Sequence, residues 1–136
     1  MSYTKEEELR KPVHEYFENK NYCTFDEVKL FTRNIDIVAK KLSQVITIEL
    51  KLRDWKKAIS QACLNLRVSN YAYIALPEPF WDRVDRRIYS SALELGIGLL
   101  SVDGITRQIM RPAPSKRIQP MLRKNFLKSL PRRQFS

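Results

Sequence analysis

The chain has 136 residues, of which 43% are apolar and 29% charged, enough for one cored domain and too apolar for wholesale disorder. No apolar run approaches the roughly 18 residues of a membrane span, and the polar, acidic start is unlike a secretion signal, so a cytoplasmic protein without membrane contact is expected. The formal charge is +10, which points to a polyanionic partner.

Residues 4–20 carry a helical pattern. Thr4 with Glu7 suits a capping box, and Glu6, Glu7 and Glu8 suit the positive end of the dipole. Leu9, Val13, Tyr16 and Phe17 form its apolar stripe. Pro12 conflicts with a helix interior, so the alternative is a helix starting near Pro12, with the acidic segment as a separate turn. His14 reads as a surface helix residue. The alternation over residues 22–31 suits a half-exposed edge strand. Residues 35–40 and 45–52 read as two β-branched strands joined by a hairpin. Asp54 then caps a helix reaching about residue 68, with Trp55, Ile59, Ala62, Cys63 and Leu66 on one stripe. Residues 71–76 are almost continuously apolar, as in a central strand covered on both faces. Tyr71 and Tyr73 share one face there and read as core or cleft wall rather than base-stacking platforms; Trp55 and Trp81 read as packing residues. A helix over residues 81–95 ends at Gly96, and strands over 97–102 and 105–110 flank the turn Asp103-Gly104. Cys23 and Cys63 lack metal-ligand spacing, and one histidine cannot complete a zinc site, so both thiols are expected free.

Pro112, Pro114, Ser115 and Pro120 mark a boundary between a body at 1–111 and a basic tail at 112–136, with a short helix over residues 121–130. From Arg107 onward there are nine basic residues and no acid, while the other sixteen basic residues nearly balance all fifteen acids. Nucleic acid, most naturally DNA, is the partner expected for this end; solubility alone is the plain alternative. The residues expected to meet it are Lys57, Arg107, Arg111, Lys116, Arg117, Arg123 and Lys124, with Arg133 part of the same run. The element order predicts an α/β sandwich with a mixed central sheet between helices.

The segment most informative about function is residues 36–61. Asp36 opens one apolar strand, and Glu49 and Lys51 lie two apart on the next, hence on one face. Acids and a lysine converging at a strand edge make a cation site with a positive charge beside it. Each taken singly has a plain reading, Asp36 as a turn residue and Glu49 with Lys51 as an exposed pair. Together with the helix bearing Gln61, this order of elements resembles the PD-(D/E)XK nuclease superfamily, the restriction-endonuclease-like fold. The likeness runs from about Lys5 to Val102, with Ile35 where that family carries proline. Leu9-Arg10-Lys11-Pro12-Val13, Asp26-Glu27-Val28 and the strand from Tyr71 to Pro77 are similar to a group of PD-(D/E)XK phosphodiesterases of bacteria and archaea.

The resemblance implies a magnesium-dependent endonuclease or phosphodiesterase acting on DNA, with manganese as a substitute ion. It implies Asp36, Glu49 and the Leu50 carbonyl as metal ligands. Lys51 would position or activate the attacking water or stabilise the scissile phosphate, and Gln61 would orient the lysine or touch the phosphate. Many members add a glutamate from the first helix; Glu6 and Glu27 both stand as candidates. Holliday-junction resolvases share a similar core and act as dimers, which makes a homodimer one expected arrangement. Two other classes compete: a catalytically inactive nuclease-fold DNA-binding or regulatory protein, and an interaction domain whose tail binds an acidic partner or ribosomal RNA.

Overall fold

The computed structural model describes residues 3–132. Its frame is one six-stranded mixed sheet in the order β1-β2-β3-β4-β5-β6: Cys23–Leu30, Arg33–Lys41, Gln44–Leu50, Tyr71–Pro77, Gly98–Asp103 and Ile105–Met110. β1, β2 and β3 run antiparallel through two hairpins, β3, β4 and β5 run parallel, and β6 returns antiparallel. The expected α/β architecture with a mixed sheet and flanking helices is the one observed.

The first helix, α1, spans Arg10–Glu18 and follows a 3₁₀ turn at Glu6–Leu9. The acidic segment is therefore a separate turn, and Pro12 falls in the first turn of α1, where its missing N–H would have had no partner. The cap is shifted by one residue from the expected pair: Glu8, not Glu7, accepts the N–H groups of Thr4 and Lys5. Leu9, Val13 and Phe17 bury against Ile37, Ile48, Leu50, Tyr73 and Leu100 on one sheet face. Tyr16 stands at the margin of that cluster.

The other face is covered by the crossover helices. Asp54 caps α2 (Trp55–Asn65) by accepting the Lys57 N–H at 3.1 Å. The helix expected over residues 81–95 is instead α3 (Glu78–Trp81) and α4 (Arg87–Leu95). The break arises because Asp85 takes the Arg87 N–H at 3.0 Å and so starts a new helix. Ala58, Ala62, Ile88 and Ala92 pack against Ile74, Leu76 and Leu99 to close this layer, with Trp55 and Trp81 partly buried against it. Gly96 ends α4 in the left-handed region at φ 76°.

The last helix, α5 (Pro120–Ser129), inserts Phe126 among Phe25, Val28, Ile35, Val38, Val45 and Val68. The stretch beyond residue 111 thus contributes to the core. Arg133 lies outside the described residues. Cys23 and Cys63 are free thiols, and no helix among the described residues is long and apolar enough to cross a membrane.

Candidate functional site

β2 and β3 bring Asp36 and Glu49 together. The antiparallel register pairs Ile37 with Ile48, which sets Asp36 opposite Glu49 at the next step. On the other side, the pairs Asp26–Ile37 and Val28–Ile35 bracket Glu27 against Asp36. Three carboxylates therefore occupy one row across β1, β2 and β3. Glu27 sits there at φ 52°, a left-handed conformation that interrupts the β1 ladder and costs a non-glycine residue about 1–2 kcal/mol.

Glu49 is 1% exposed and is held on a single oxygen. Its Oε2 accepts from Arg33 Nη1 at 3.0 Å and from Asn65 Nδ2 at 2.8 Å, while its Oε1 accepts no hydrogen bond among the described residues. Burial, opposed by the Asn65 hydrogen bond, reinforced by the charge of Asp36 and countered by Arg33, pushes the Glu49 carboxyl up to about 7. Asp36 Oδ2 accepts the Leu50 N–H at 2.8 Å, so Leu50 meets Asp36 through its amide. The Leu50 carbonyl is the oxygen that the resemblance implies as a cation ligand.

Lys51 follows at the end of β3, with its N–H donating to the Ala75 carbonyl at 3.1 Å and its Nζ 3.9 Å from Glu6 Oε2. Glu6 has a side chain 46% exposed and faces the lysine. Glu27 instead accepts from Arg10 Nη2 at 2.8 Å. The two candidate glutamates thus separate, Glu6 beside Lys51 and Glu27 beside Asp36 through Arg10. Gln61 enters through its backbone, whose carbonyl accepts Arg33 Nη2 at 2.8 Å, while its side-chain Oε1 is buried without a hydrogen-bond partner among the described residues. Past Lys51, outside the carboxyl ends of β3 and β4, opens a cavity of about 520 Å³ bordered by Tyr3, Leu52, Arg53, Pro77 and Phe80. Crevices at that end of parallel strands are where open α/β sheets bind ligands.

Four residues of this arrangement were not anticipated from the sequence. Arg33 spans Glu49, Gln61 and Asn65; Asn65 is a fully buried polar residue on the inner side of α2, four positions after Gln61. That polar residue on an apolar stripe was the available signal. Arg10 donates to Glu7, Asp26, Glu27 and the Asp36 carbonyl. His14, expected on the surface, is part-buried between Thr24 Oγ1 and Asp26 Oδ1, each at 2.6 Å.

The basic residues fare unevenly. Lys57, Arg111, Lys116, Arg117 and Lys124 are exposed. Arg107 is exposed but paired with Glu78 at 2.5 Å. Arg123 is half-buried and donates to the Val68 and Ser43 carbonyls, which ties α5 to the body. No group of three or more His, Cys, Asp or Glu residues among those described is arranged to hold a metal ion, so any cation here rests on two carboxylates and backbone or water oxygens.

No protein-family model matches this chain, and no curated protein matches it. Among solved structures, the SfsA protein of Pyrococcus furiosus, determined in complex with Ca2+, is similar at a TM-score of 0.43 and 13% identity. The match covers 74% of this chain and 61% of that one, so the chain spans about three fifths of that protein's length. A likeness this slight bears on neither mechanism nor substrate.

Proposed function

We propose that this protein is a magnesium-dependent phosphodiester hydrolase of PD-(D/E)XK type that acts on DNA. The observation that carries the reading is the juxtaposition of Asp36 and Glu49 on facing positions of β2 and β3, with Lys51 two residues on, just past the end of β3. The donor set suits a hard cation: two carboxylates, each with one oxygen free of hydrogen bonds among the described residues, and the Leu50 carbonyl. Magnesium keeps several waters and is commonly held by one or two carboxylates, so a third acid is not required. When bound, it would supply Lewis-acid polarisation and lower the pKa of a bound water.

The chain's own groups supply the rest. Arg33 and Asn65 lock Glu49 through Oε2, which leaves Oε1 to face a cation. Arg10 and the Leu50 N–H fix Asp36 at its carbonyl and its carboxylate. Lys51 offers a point charge and three donors for the scissile phosphate or the attacking water, with Glu6 as its counter-charge. The buried Gln61 Oε1 has no hydrogen-bond partner among the described residues and is an acceptor that could orient a lysine. Exposed Lys57, Lys116 and Lys124 would contact backbone phosphates, which position a duplex without reading its sequence.

A second reading, a nuclease fold without catalysis that binds DNA, is favoured by one observation. Glu49 is almost fully buried and already engaged by Arg33. The two are separated by titrating Mg2+ and then Mn2+ calorimetrically into wild type, Glu49→Gln and Lys51→Met, with cleavage of supercoiled, linear, branched and single-stranded DNA followed in parallel. Catalysis predicts metal uptake lost in Glu49→Gln, and nicking reduced at least about a hundredfold in both variants with uptake kept in Lys51→Met. DNA binding with neither uptake nor nicking in wild type would establish the inactive reading.

A further inference from the structure

At the other end of β3, on the α1 face of the sheet, lies a cavity of about 380 Å³ that the carboxylate row does not touch. Its walls converge from separate stretches of the chain. Tyr16 comes from α1 and Lys20 from the turn after it, Tyr22 from just before β1, Gln44 and Ile46 from β3, Tyr71 and Tyr73 from β4, and Arg111 from just after β6. Four tyrosines and two cations line it, with no acidic residue among the lining side chains. Sequence position gives no hint of this convergence, because Tyr16 and Tyr71 are brought together only by the packing of α1 on the sheet.

The aromatic wall is built rather than incidental. Phe17 makes edge contacts with Tyr22 and Tyr73 at ring separations of 5.9 and 5.7 Å. The Tyr73 hydroxyl donates to Gln108 Oε1 at 2.6 Å, and Gln44 Nε2 donates to the Tyr22 hydroxyl at 2.8 Å. Gly98 is part of the construction: a Cβ there would come within 2.5 Å of the Tyr73 ring. By contrast, the Tyr16 and Tyr71 hydroxyls make no hydrogen bond among the described residues, and both rings are half-buried. Lys20 Nζ lies 4.9 Å from the Tyr16 ring centre, so one cation already sits on the aromatic lip. Arg111 is the second cation of the lining and is exposed.

We propose that this cavity binds one unpaired nucleotide, its base among Tyr16, Tyr22, Tyr71 and Tyr73 and its phosphate against Lys20 and Arg111. The volume falls in the roughly 300–1,000 Å³ range of small-ligand sites. Aromatic walls with cationic margins are the chemistry that takes a planar base with an attached anion, and stacking tolerates any base. The open tyrosine hydroxyls add donors and acceptors for base edges. The nucleotide is either free or part of a single strand. The proposal rests on the functional reading above only in taking nucleic acid as the partner; it requires neither metal nor hydrolysis.

The test uses the full chain in EDTA, where metal-dependent cleavage cannot occur. An octamer of thymidylate, the same backbone without bases, and thymidine monophosphate are titrated calorimetrically into wild type, Tyr71→Phe, Tyr71→Leu and Lys20→Ala/Arg111→Ala. The octamer is expected to bind about tenfold more tightly than its abasic counterpart, as one stacked base would give. Tyr71→Phe keeps that preference and Tyr71→Leu, matched by thermal melting, abolishes it. The double variant, altered only at exposed positions, weakens both strands. Binding of the monophosphate with the same dependence on Tyr71 identifies a free nucleotide as the ligand, and binding of the octamer alone identifies a strand. Equal affinity for strands with and without bases, or a Tyr71→Leu variant indistinguishable from wild type, overturns the proposal. Nicking that survives such a failure leaves the hydrolase reading intact, and base-dependent binding without nicking leaves the cavity's role intact.

Discussion

Arg10 is 14% exposed and spends its guanidinium on Glu7, Asp26, Glu27 and the Asp36 carbonyl, so one side chain joins α1 to β1 and β2 beside the candidate site. Burial opposes the ionisation of Asp26, yet His14 and Arg10 outweigh it and hold that carboxyl below its usual range. A depressed carboxylate contributes stability above its unfolded-state pKa of about 3.9 and loses it as pH falls through the lower folded value. Asp26→Asn removes that contribution. The stability difference between wild type and Asp26→Asn should therefore shrink as pH falls below about 4, as urea unfolding across a pH series would measure. A difference that does not shrink there would show that Asp26 is not held by these partners. None of this was legible beforehand, because Arg10 reaches Asp26 and Glu27 across separations of 16 and 17 residues. Asp36, Glu49 and Lys51, in contrast, were legible: a charge on an apolar strand is conspicuous, and a period of two settles which charges share a face.

At the scale of elements, local chemistry set the boundaries and failed only where side chains compete with the backbone. β6 at Ile105–Met110 and the Asp54 cap follow directly from a turn signal and an N-cap residue. The split between α3 and α4 does not, since Asp85 could equally have sat on a continuous helix. The β2–β3 hairpin carries a local conflict. Leu42 is 86% exposed and adopts φ 55°, a region that favours glycine. Leu42→Gly relieves that strain without removing a buried contact and should raise unfolding stability by about 1 kcal/mol in urea titrations. A loss of stability would mean that the leucine side chain holds the turn.

For the molecule as a whole, the decisive contact is the return of α5 to the sheet. Phe126 is 4% exposed and sits among residues of β1, β2 and β3. Phe126→Ala should cost about 3–5 kcal/mol, as for a large buried aromatic, against less than about 0.5 kcal/mol for a residue on a solvated tail. Urea unfolding monitored by far-ultraviolet circular dichroism decides between these values.

What the sequence determined by itself is whatever depends on neighbours along the chain: the strands and most helix limits, the mixed α/β order, the carboxylate and lysine spacing, and the surplus of positive charge at the end. Periodicity and capping act over a few residues, so they are visible in a linear reading. The tertiary structure alone decided which charges are used and which are free. Arg123 became a structural tie, Arg33 became the partner of Glu49, and four tyrosines separated by up to 57 residues came to line one cavity. Those outcomes depend on how α1, α2 and α5 pack against the sheet, and packing brings together residues whose distance along the chain carries no information about their distance in space.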